Sequence, residues 1–251
     1  MRAQRERLIL DFIATRKSAK VTELSTHLGV SLATVRRDLA KMEEDGLIRK
    51  VHGGAIALEQ VVKPWLLPRS RQQAVYKSRI GQAAAALVQD GETIVITAGS
   101  STEAMVPFLA PRTGLTVITN ALNVAYQLSP FEHISVIVLG GWLRHSDLYV
   151  LGHMVEDALQ DLRASKIFQG IYGIHPVHGL TATYLPEVQT DRLMIERVPN
   201  LIILADHTKF SRVGPVQFAP VTAASTVVTD TEAPPDAVEA LRRLGITVIQ
   251  A

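Results

Sequence analysis

The hydrophobic pattern of the first 57 residues predicts a compact helical unit that ends in a short ribbon. Apolar side chains recur at helical spacing in residues 2–16, at Leu8, Ile9, Phe12 and Ile13. A helix there serves mainly to close a small core, because a domain of this size needs every helix to enclose one apolar centre. Its leading arginines, Arg2, Arg5 and Arg7, are expected on the exposed side, where they either touch phosphate or remain solvated.

A second amphipathic pattern predicts a helix that begins after Ser31, a residue type that caps helix N-termini well. Its buried stripe is expected to contain Leu32, Val35, Leu39 and Met42. The opposite face carries small and basic side chains, namely Ala33, Thr34, Arg36, Arg37, Ala40 and Lys41. Such a face fits a DNA major groove, because small residues let the backbone approach and arginine binds guanine or phosphate. Taken alone, the pattern fits a solvated surface helix equally well.

The neighbouring segments favour DNA binding. Residues 21–29, VTELSTHLG, predict a short helix that is capped by Thr22 and ended by Gly29, so the order is helix, short turn, helix. After the second helix, Gly46 is expected to end the run. In the segment that follows, LIRKVHGGA, apolar residues alternate with Arg49, Lys50 and His52, which predicts a basic β-wing.

Beyond residue 57 the pattern changes twice. Residues 58–72 contain Pro64 and Pro68 without a clean period, which predicts a linker that docks in part on the following domain or on a partner chain. Helical patterns then alternate with short apolar runs, which predicts an α/β domain with a mostly parallel sheet covered on both faces. Strands are expected at 93–97, 115–119, 135–139, 166–172, 201–205, 226–229 and 247–249. Helices are expected at 74–88, 102–110, 121–128, 153–163, 187–198 and 235–244.

The sequence thus predicts a winged helix-turn-helix domain over residues 1–57, a linker over 58–72, and a larger α/β domain over 73–251 for effector sensing and oligomerisation. Composition is that of an ordinary globular protein, with 47% hydrophobic and 20% charged residues. The absence of cysteine fits a reducing compartment, and no run is long and apolar enough for a membrane span, so a cytoplasmic protein is expected. Residues 1–54 hold 11 Lys+Arg against 7 Asp+Glu, so the basic charge lies where DNA would bind.

The strand ends predict where a ligand binds, because ligands of open α/β sheets lie outside the carboxyl ends of the strands. The run after strand 93–97 places Gly99, Ser100, Ser101 and Thr102 at a helix N-terminus, which suits a phosphate, although a capped turn explains the same string. Other strand ends supply Thr119-Asn120, Gly140-Gly141 and Asp206-His207-Thr208-Lys209. Lys209 could bind a phosphate or sugar oxygen, or form a surface salt bridge with Asp206.

Two sets of motifs carry a resemblance to a known family. SLATVRRDL followed by EEDGLIRKVHGGA resembles the winged helix-turn-helix of the DeoR family of bacterial transcriptional regulators. The strings DGETIVITAGSST, LTVITNALNVA, VIVLGGWLR, GIHPVHGLT, LADHTKF and VVTD resemble the sensor domain of the same family. The resemblance implies a fold similar to ribose-phosphate isomerase and glucosamine-phosphate deaminase. It also implies double-stranded operator DNA as a partner and a phosphorylated sugar or related metabolite as effector.

From the pattern and the resemblance together, the DNA-binding residues are expected to be Thr22, Ser31, Ala33, Thr34, Arg36, Arg37, Lys41, Arg49, Lys50 and His52. The residues that match the phosphate loop and the other pocket motifs are Lys77, Gly99, Ser100, Ser101, Thr102, Asn120, Gly140, Gly141, Asp206 and Lys209. No metal site or cofactor is expected, and His175 and His178 are interpreted as loop histidines. A single winged helix reads few base pairs, so a homo-oligomer, dimer or tetramer, is also expected.

The chain departs from the family pattern at three places. Thr97 stands where family members usually have Asp, and Asp191 where they tend to have a basic residue. Before the strand at Ile167, this chain has Ser165 and Lys166 where members tend to have an acidic residue. These departures leave two possibilities, an unusual effector or a weakened response to the effector. The main hypothesis is a regulator, with repression favoured by the resemblance. One alternative is a sugar-phosphate isomerase or deaminase with an accessory domain, which is disfavoured because this chain has Thr97 and Ser165 where a catalytic carboxylate would be expected. The other alternative is an architectural DNA-binding protein.

Overall fold

A computed structural model of the protein describes residues 2–16, 18–45, 47–51, 53–57 and 73–251. The chain divides into two compact units, Met1–Lys63 and Pro64–Ala251. The expected linker of residues 58–72, the wing residue His52 and the helix-ending Gly46 lie outside the described residues.

The first unit combines helices with a small antiparallel sheet. Its elements in chain order are α1 (Arg2–Arg16), β1 (Ser18–Lys20), α2 (Val21–Leu28), α3 (Leu32–Glu44), β2 (Ile48–Val51) and β3 (Gly54–Ala57). The strands pair in the order β1-β3-β2, so β2 and β3 form the predicted wing and β1 joins it to the helices. The winged helix-turn-helix prediction is confirmed, whereas β1, three residues long, was not predicted.

The core of the first unit differs from the predicted stripes at two leucines. Ile9, Ile13, Leu24, Val35, Leu39 and Met42 are almost fully buried, but Leu8 and Leu32 are each 42% exposed. Leu8 is adjacent to Ile9 and therefore lies about 100° away around the helix. Leu32 is the first residue of α3, where the helix begins outside the core.

Thr22 does not cap α2, contrary to the prediction. The helix begins at Val21 after Lys20, and the Lys20 backbone N–H donates to the Glu23 carboxylate at 2.9 Å. Thr22 is instead an exposed residue of the first turn. Gly29 does end α2, in the left-handed conformation at φ 63°, as predicted.

The second unit is built on a parallel sheet of seven strands. These are β4 (Thr93–Ile96), β5 (Thr116–Thr119), β6 (Ser135–Val138), β9 (Lys166–Gly170), β12 (Leu201–Leu204), β14 (Ala224–Thr229) and β15 (Thr247–Gln250), in the order β15-β14-β12-β9-β4-β5-β6. The helices are α4 (Ala74–Ala85), α5 (Ser100–Glu103), α6 (Leu122–Leu128), α7 (His153–Gln160), α8 (Leu185–Arg197) and α9 (Pro235–Arg243). The α/β class and the parallel sheet are therefore confirmed.

Both faces of this sheet are covered, as the continuous apolar strands predict. Along β4, Val95 belongs to one buried cluster, whereas Ile94 and Ile96 belong to another. The alternation follows from the period of two along a strand. Helix α4 packs closely, because a Cβ on Gly81 would lie 2.5 Å from the Ala104 carbonyl oxygen.

Two features of the second unit were not predicted. The helix expected at 102–110 is instead the four-residue α5 followed by a 3-10 turn at Val106–Leu109, since Pro107 lacks an N–H and starts a new turn. Short strands also form two small antiparallel sheets. One contains β7 (Trp142–Arg144) and β8 (Tyr149–Leu151), and the other β10 (Gly173–His175), β11 (Gly179–Ala182) and β13 (Val216–Ala219).

In the described ranges, no helix combines the length and apolar character needed to cross a bilayer.

Candidate nucleic-acid interface and ligand cleft

Helix α3 presents an exposed polar face at its start. The Ser31 side chain accepts a hydrogen bond from the Thr34 backbone N–H at 3.2 Å, which fixes the first turn. The Ser31 and Thr34 hydroxyl oxygens lie 2.9 Å apart, so the Thr34 hydroxyl also supports the cap. Ala33, Arg36 and Arg37 are exposed, as predicted for a face that contacts DNA.

The cations of this face differ in how far they are already paired. Arg36 and Arg37 have no ion-pair partner among the described residues. Lys41 lies 3.1 Å from the Glu44 carboxylate and 3.3 Å from the Asp45 carboxylate. The hydrogen bonds that Lys41 donates to Glu44 and Asp45 raise the pKa of Lys41. The two arginines are therefore better placed than Lys41 to add charge at a phosphate or a base.

Side-chain contacts hold α3 against its neighbours. The Arg5 Nε donates to the Asp38 Oδ2 at 3.0 Å, which joins α1 to α3 through a carboxylate that is only 4% exposed. Arg5 is thus a structural residue rather than the free cation expected from the sequence. The Lys50 backbone N–H donates to the Glu43 carboxylate at 2.7 Å, which ties β2 to the end of α3. Arg49 and Lys50 are exposed on the wing.

A cleft of about 110 Å³ opens in the second unit beyond the carboxyl ends of β4 and β9. Of the residues predicted to bind an effector, Gly99, Ser100, Ser101 and Lys209 line it. The N–H groups at the start of α5 lack intrahelical acceptors, as at any helix N-terminus. This part of the wall therefore offers backbone N–H groups, hydroxyls and one lysine to an anion.

Six other predicted effector residues do not line the cleft, and the contacts of five of them support the fold. Asp206 accepts the Thr208 N–H at 3.0 Å, and the buried Lys77 Nζ lies 4.0 Å from the Asp206 carboxylate. The Thr102 hydroxyl donates within its own turn, 2.8 Å from the oxygens of Thr97 and Gly99. Asn120 donates to the Val150 carbonyl at 3.1 Å. The remaining two are Gly140 and Gly141, and a Cβ on Gly141 would meet the Leu151 carbonyl at 2.7 Å.

Much of the wall consists of residues that were not predicted as effector contacts. They include Glu103, Asn123, Arg144, Asp147, Tyr149, Gln169, Glu187 and Asp191. Of the family departures, only Asp191 lies here. Thr97 does not line the cleft, and Ser165 precedes β9, at the opposite end of that strand, where its hydroxyl donates to Glu92 at 3.2 Å. The departure at Asp191 was the signal in the sequence that pointed to this wall.

Asp191 is a buried carboxylate held by neutral donors. The Tyr149 hydroxyl donates to its Oδ1 at 2.7 Å, and Asp191 is 5% exposed. Burial raises the pKa of Asp191 to about 6, while the hydrogen bonds from Tyr149 and Gln169 oppose the rise. Burial and the neighbouring Asp191 raise the pKa of Tyr149 well above its ordinary value. Tyr149 therefore remains a hydrogen-bond donor at neutral pH.

A second carboxylate, Glu103, lies in a similar environment. Burial raises its pKa, and hydrogen bonds from Asn123 and Gln127, together with the positive charge of Lys77, oppose the rise. The Gln127 Nε2 donates to Glu103 at 2.6 Å. Each of these two carboxylates is thus held by side-chain amides or hydroxyls.

Arg144 contacts the other two acids of the wall, Asp147 and Glu187. It forms an ion pair with Glu187 and lies 3.6 Å from the Asp147 carboxylate. Its guanidinium packs over the Tyr184 ring, 4.3 Å from the centroid. Because the Arg144 guanidinium is already paired with Asp147 and Glu187, it contributes little to neutralising the charge of Asp191.

No cluster of three or more His, Cys, Asp or Glu side chains capable of holding a metal ion occurs in the described ranges. His175 accepts the backbone N–H of Val177 and His178 at 3.0 and 3.1 Å, so it shapes a loop. The two histidine rings stack with centroids 4.6 Å apart.

A winged helix-turn-helix with exposed arginines on its second helix, in one chain with an α/β unit that carries a cleft, is typical of DNA-binding regulators. Comparison with known proteins gives the family. Residues 5–61 match the DeoR-like helix-turn-helix domain, and residues 72–231 match the DeoR C terminal sensor domain. The chain belongs to the DeoR family of transcriptional regulators. This family is regulatory, so the isomerase or deaminase alternative is set aside.

Individual relatives cover nearly the whole chain. The glycerol-3-phosphate regulon repressor of Escherichia coli strain K12 is 32% identical over 239 residues, covering 95% of this chain and 94% of that protein. The HTH-type transcriptional repressor GlcR of Bacillus subtilis strain 168 is 33% identical over 231 residues, covering 90% and 88%. Among solved structures, a ribose 5-phosphate isomerase from Methanocaldococcus jannaschii is 14% identical with a TM-score of 0.42, covering 55% of each chain.

Proposed function

We propose that this protein represses a metabolic operon and that a phosphorylated sugar or related metabolite, bound in the cleft, changes its affinity for operator DNA. The observation that carries the proposal is the presence of Gly99, Ser100, Ser101 and Lys209 on one cleft in a chain with an exposed Arg36-Arg37 helix face. The named functions of the relatives support it, since one represses a glycerol-3-phosphate regulon.

DNA recognition is assigned to α3 and the wing. Arg36 and Arg37 follow the exposed Ala33, where the helix backbone can approach a groove closely. We assign base contacts to Arg37, with Arg36 at a base or phosphate, because a guanidinium binds guanine O6 and N7 through two hydrogen bonds. Arg49 and Lys50 on the wing are assigned to phosphates, which fix position without reading sequence.

Effector binding is assigned to the anion-binding wall. Helix α5 has four residues, so its macrodipole contributes little, and the backbone N–H and hydroxyl groups of Ser100 and Ser101 provide the contacts instead. Lys209 adds positive charge to the same cleft. Because a bound ligand shifts DNA affinity only if it prefers one of two states, the effector must bind the operator-bound and free protein unequally.

We also infer a homo-oligomer that assembles through the second unit. The strand β6 lies at the edge of the seven-stranded sheet, and apolar side chains near it are exposed, namely Tyr126, Ile137, Val138 and Trp142. A second copy of this chain is the assigned occupant, because genomic specificity requires two recognition helices on repeated half-sites.

The effector proposal is tested first by thermal-shift screening of the full chain with phosphorylated sugars, since a ligand of the folded state raises the melting temperature. The stabilising ligand is then titrated calorimetrically into wild type and Ser101→Asp, with and without operator DNA. The added carboxylate occupies the anion position, so ligand affinity is expected to fall at least tenfold, with ~1.4 kcal/mol per factor of ten.

Ser225→Asp is the matched control. Ser225 lies at the amino end of β14, where its hydroxyl donates to the Leu201 carbonyl, and it does not line the cleft. Its ligand affinity should equal that of wild type. Undiminished ligand affinity in Ser101→Asp would place the effector elsewhere and contradict the proposal.

A further inference from the structure

The part of the cleft wall away from the anion-binding residues 99–101 and Lys209 is rich in hydrogen-bond acceptors; we call it the acceptor wall. Four carboxylates line the cleft, from Glu103, Asp147, Glu187 and Asp191, against two cations, Arg144 and Lys209. Arg144 already contacts Glu187 and Asp147. The neutral donors Tyr149 and Gln169 hydrogen-bond to Asp191, which forms no ion pair with a described residue. A cation is therefore missing from the surroundings of this carboxylate in the described chain.

Two amides in the same wall point to a ligand independently of the acids. Gln169 and Asn123 are 3% and 8% exposed, and both line the cleft. Gln169 hydrogen-bonds the Asp191 carboxylate and Asn123 hydrogen-bonds that of Glu103, and only the amide nitrogen can donate these bonds. In both cases the carbonyl oxygen, Gln169 Oε1 or Asn123 Oδ1, has no donor among the described residues.

These orphaned oxygens are a physical cost to the protein. A buried acceptor without a donor loses its hydrogen bonds to water and forms none within the protein, so such atoms are rare unless a ligand or an ordered water supplies the donor. Here two occur in one cleft, each on an amide whose nitrogen is committed to a carboxylate. A ligand for this wall must bring hydrogen-bond donors, and the adjacent carboxylates favour donors that carry positive charge.

We propose that the effector carries an ammonium group in addition to its anionic group, and that Asp191 with Gln169 determines this specificity. The inference rests on the proposed function, because it assigns the chemistry of the effector that acts in the same cleft. An ammonium group supplies three N–H donors and one positive charge, which serve both the amide oxygens and the unpaired carboxylate. A neutral hydroxyl supplies one donor and no charge. Burial raises the pKa of Asp191, and no cation among the described residues opposes that rise.

The test uses matched pairs of probes that differ only by an amino or a hydroxyl group at carbon 2. These are glucosamine 6-phosphate with glucose 6-phosphate, galactosamine 6-phosphate with galactose 6-phosphate, and mannosamine 6-phosphate with mannose 6-phosphate. Affinities are measured by calorimetry on the full chain at pH 7.5, for wild type, Asp191→Asn and the control Glu239→Gln. Glu239 is an exposed carboxylate of α9 that does not line the cleft.

In wild type and Glu239→Gln, the amino member of at least one pair is expected to bind on the order of tenfold more tightly than its hydroxyl partner, since charge-assisted hydrogen bonds are roughly twice as strong as neutral ones. In Asp191→Asn this preference should shrink to less than about threefold, while affinity for the hydroxyl member is retained. Glu103→Gln is a second variant for the case that Asp191→Asn fails to fold, and it should also reduce the preference.

Three outcomes overturn the inference. If the hydroxyl members bind as tightly as the amino members, the ammonium is not recognised, and the proposed function still stands. If the preference survives unchanged in both Asp191→Asn and Glu103→Gln, the acceptor wall does not determine it. If none of the six probes binds, this inference and the sugar-phosphate part of the proposed function fail together.

Discussion

Replacing Asp191 with Asn should stabilise the protein, and the gain should increase with pH. Asp191 is buried, and burial raises its pKa from 3.8 to about 6. A carboxyl group whose folded-state pKa is raised binds its proton more tightly when folded, so its ionisation opposes folding. The favourable contribution of its proton is fully present below pH 3.8 and is lost as the pH rises through about 6. Asn removes this ionisation.

The magnitude follows from the two pKa values. With a pKa raised from 3.8 to about 6, ionisation of Asp191 lowers the free energy of unfolding by about 3 kcal/mol at pH 8 and by about 1.6 kcal/mol at pH 5. The stability advantage of Asp191→Asn should therefore grow by about 1.4 kcal/mol between pH 5 and pH 8. The difference between the two pH values cancels any pH-independent change in packing. The Asn side chain can keep the Tyr149 bond, because its oxygen accepts as the carboxylate does.

Urea unfolding of the full chain at several pH values between 5 and 8, followed by tryptophan fluorescence, measures this difference. Trp142 lies in the second unit, so its fluorescence reports on the unit that contains Asp191. Glu239→Gln, an exposed carboxylate, controls for the chemistry of the substitution. The reasoning is refuted if the stability difference between Asp191→Asn and wild type is the same at pH 5 and pH 8, or falls as pH rises.

Four further substitutions test other parts of the molecule. Arg37→Ala should weaken binding to a selected operator by about 1 to 3 kcal/mol more than binding to random DNA, measured by fluorescence anisotropy, and equal losses would assign Arg37 to phosphate. Lys50→Ala should weaken binding to the selected operator and to random DNA alike, and it should make the salt dependence of binding shallower. An unchanged salt slope would show that the wing does not contact DNA phosphates. Gly81→Ala should destabilise the second unit by about 1 to 3 kcal/mol, because the new Cβ meets the Ala104 carbonyl, and unchanged thermal unfolding would contradict the observed packing of α4. Val138→Lys on the edge strand should shift light scattering towards the monomer if a second copy binds there, and an unchanged mass would exclude that surface.

The long apolar strands and the amphipathic helices could be read from the sequence, because their periods extend over enough residues to be distinctive. Val95 and its neighbours Ile94 and Ile96 illustrate this, since a strand that is buried on both faces has no polar alternation. The Pro107 break and the short strands β7 and β8 were missed. Three-residue strands have no measurable period, and they form through tertiary pairing.

Part of the candidate cleft could also be predicted from the sequence. The glycine and hydroxyl residues 99–101 follow a strand directly, so their position could be deduced from topology. Arg144 and Glu187 come from a small hairpin and from α8, which are far apart in sequence and meet only in the fold. Lys77 and Asp206, which matched pocket motifs, do not line the cleft and lie 4.0 Å apart, since a buried charge requires a partner.

The most direct test of the account is the reciprocity between operator and effector. Operator fragments are selected from a random DNA pool by the full chain, and their dissociation constants are measured with and without the sugar phosphate that stabilises the protein in the thermal-shift screen. This ligand should change operator affinity by a factor of about 5 to 150, and operator DNA should change ligand affinity by the same factor. Equal ligand affinity for the free and the operator-bound protein, or no discrimination between selected and random DNA, would contradict the proposed function.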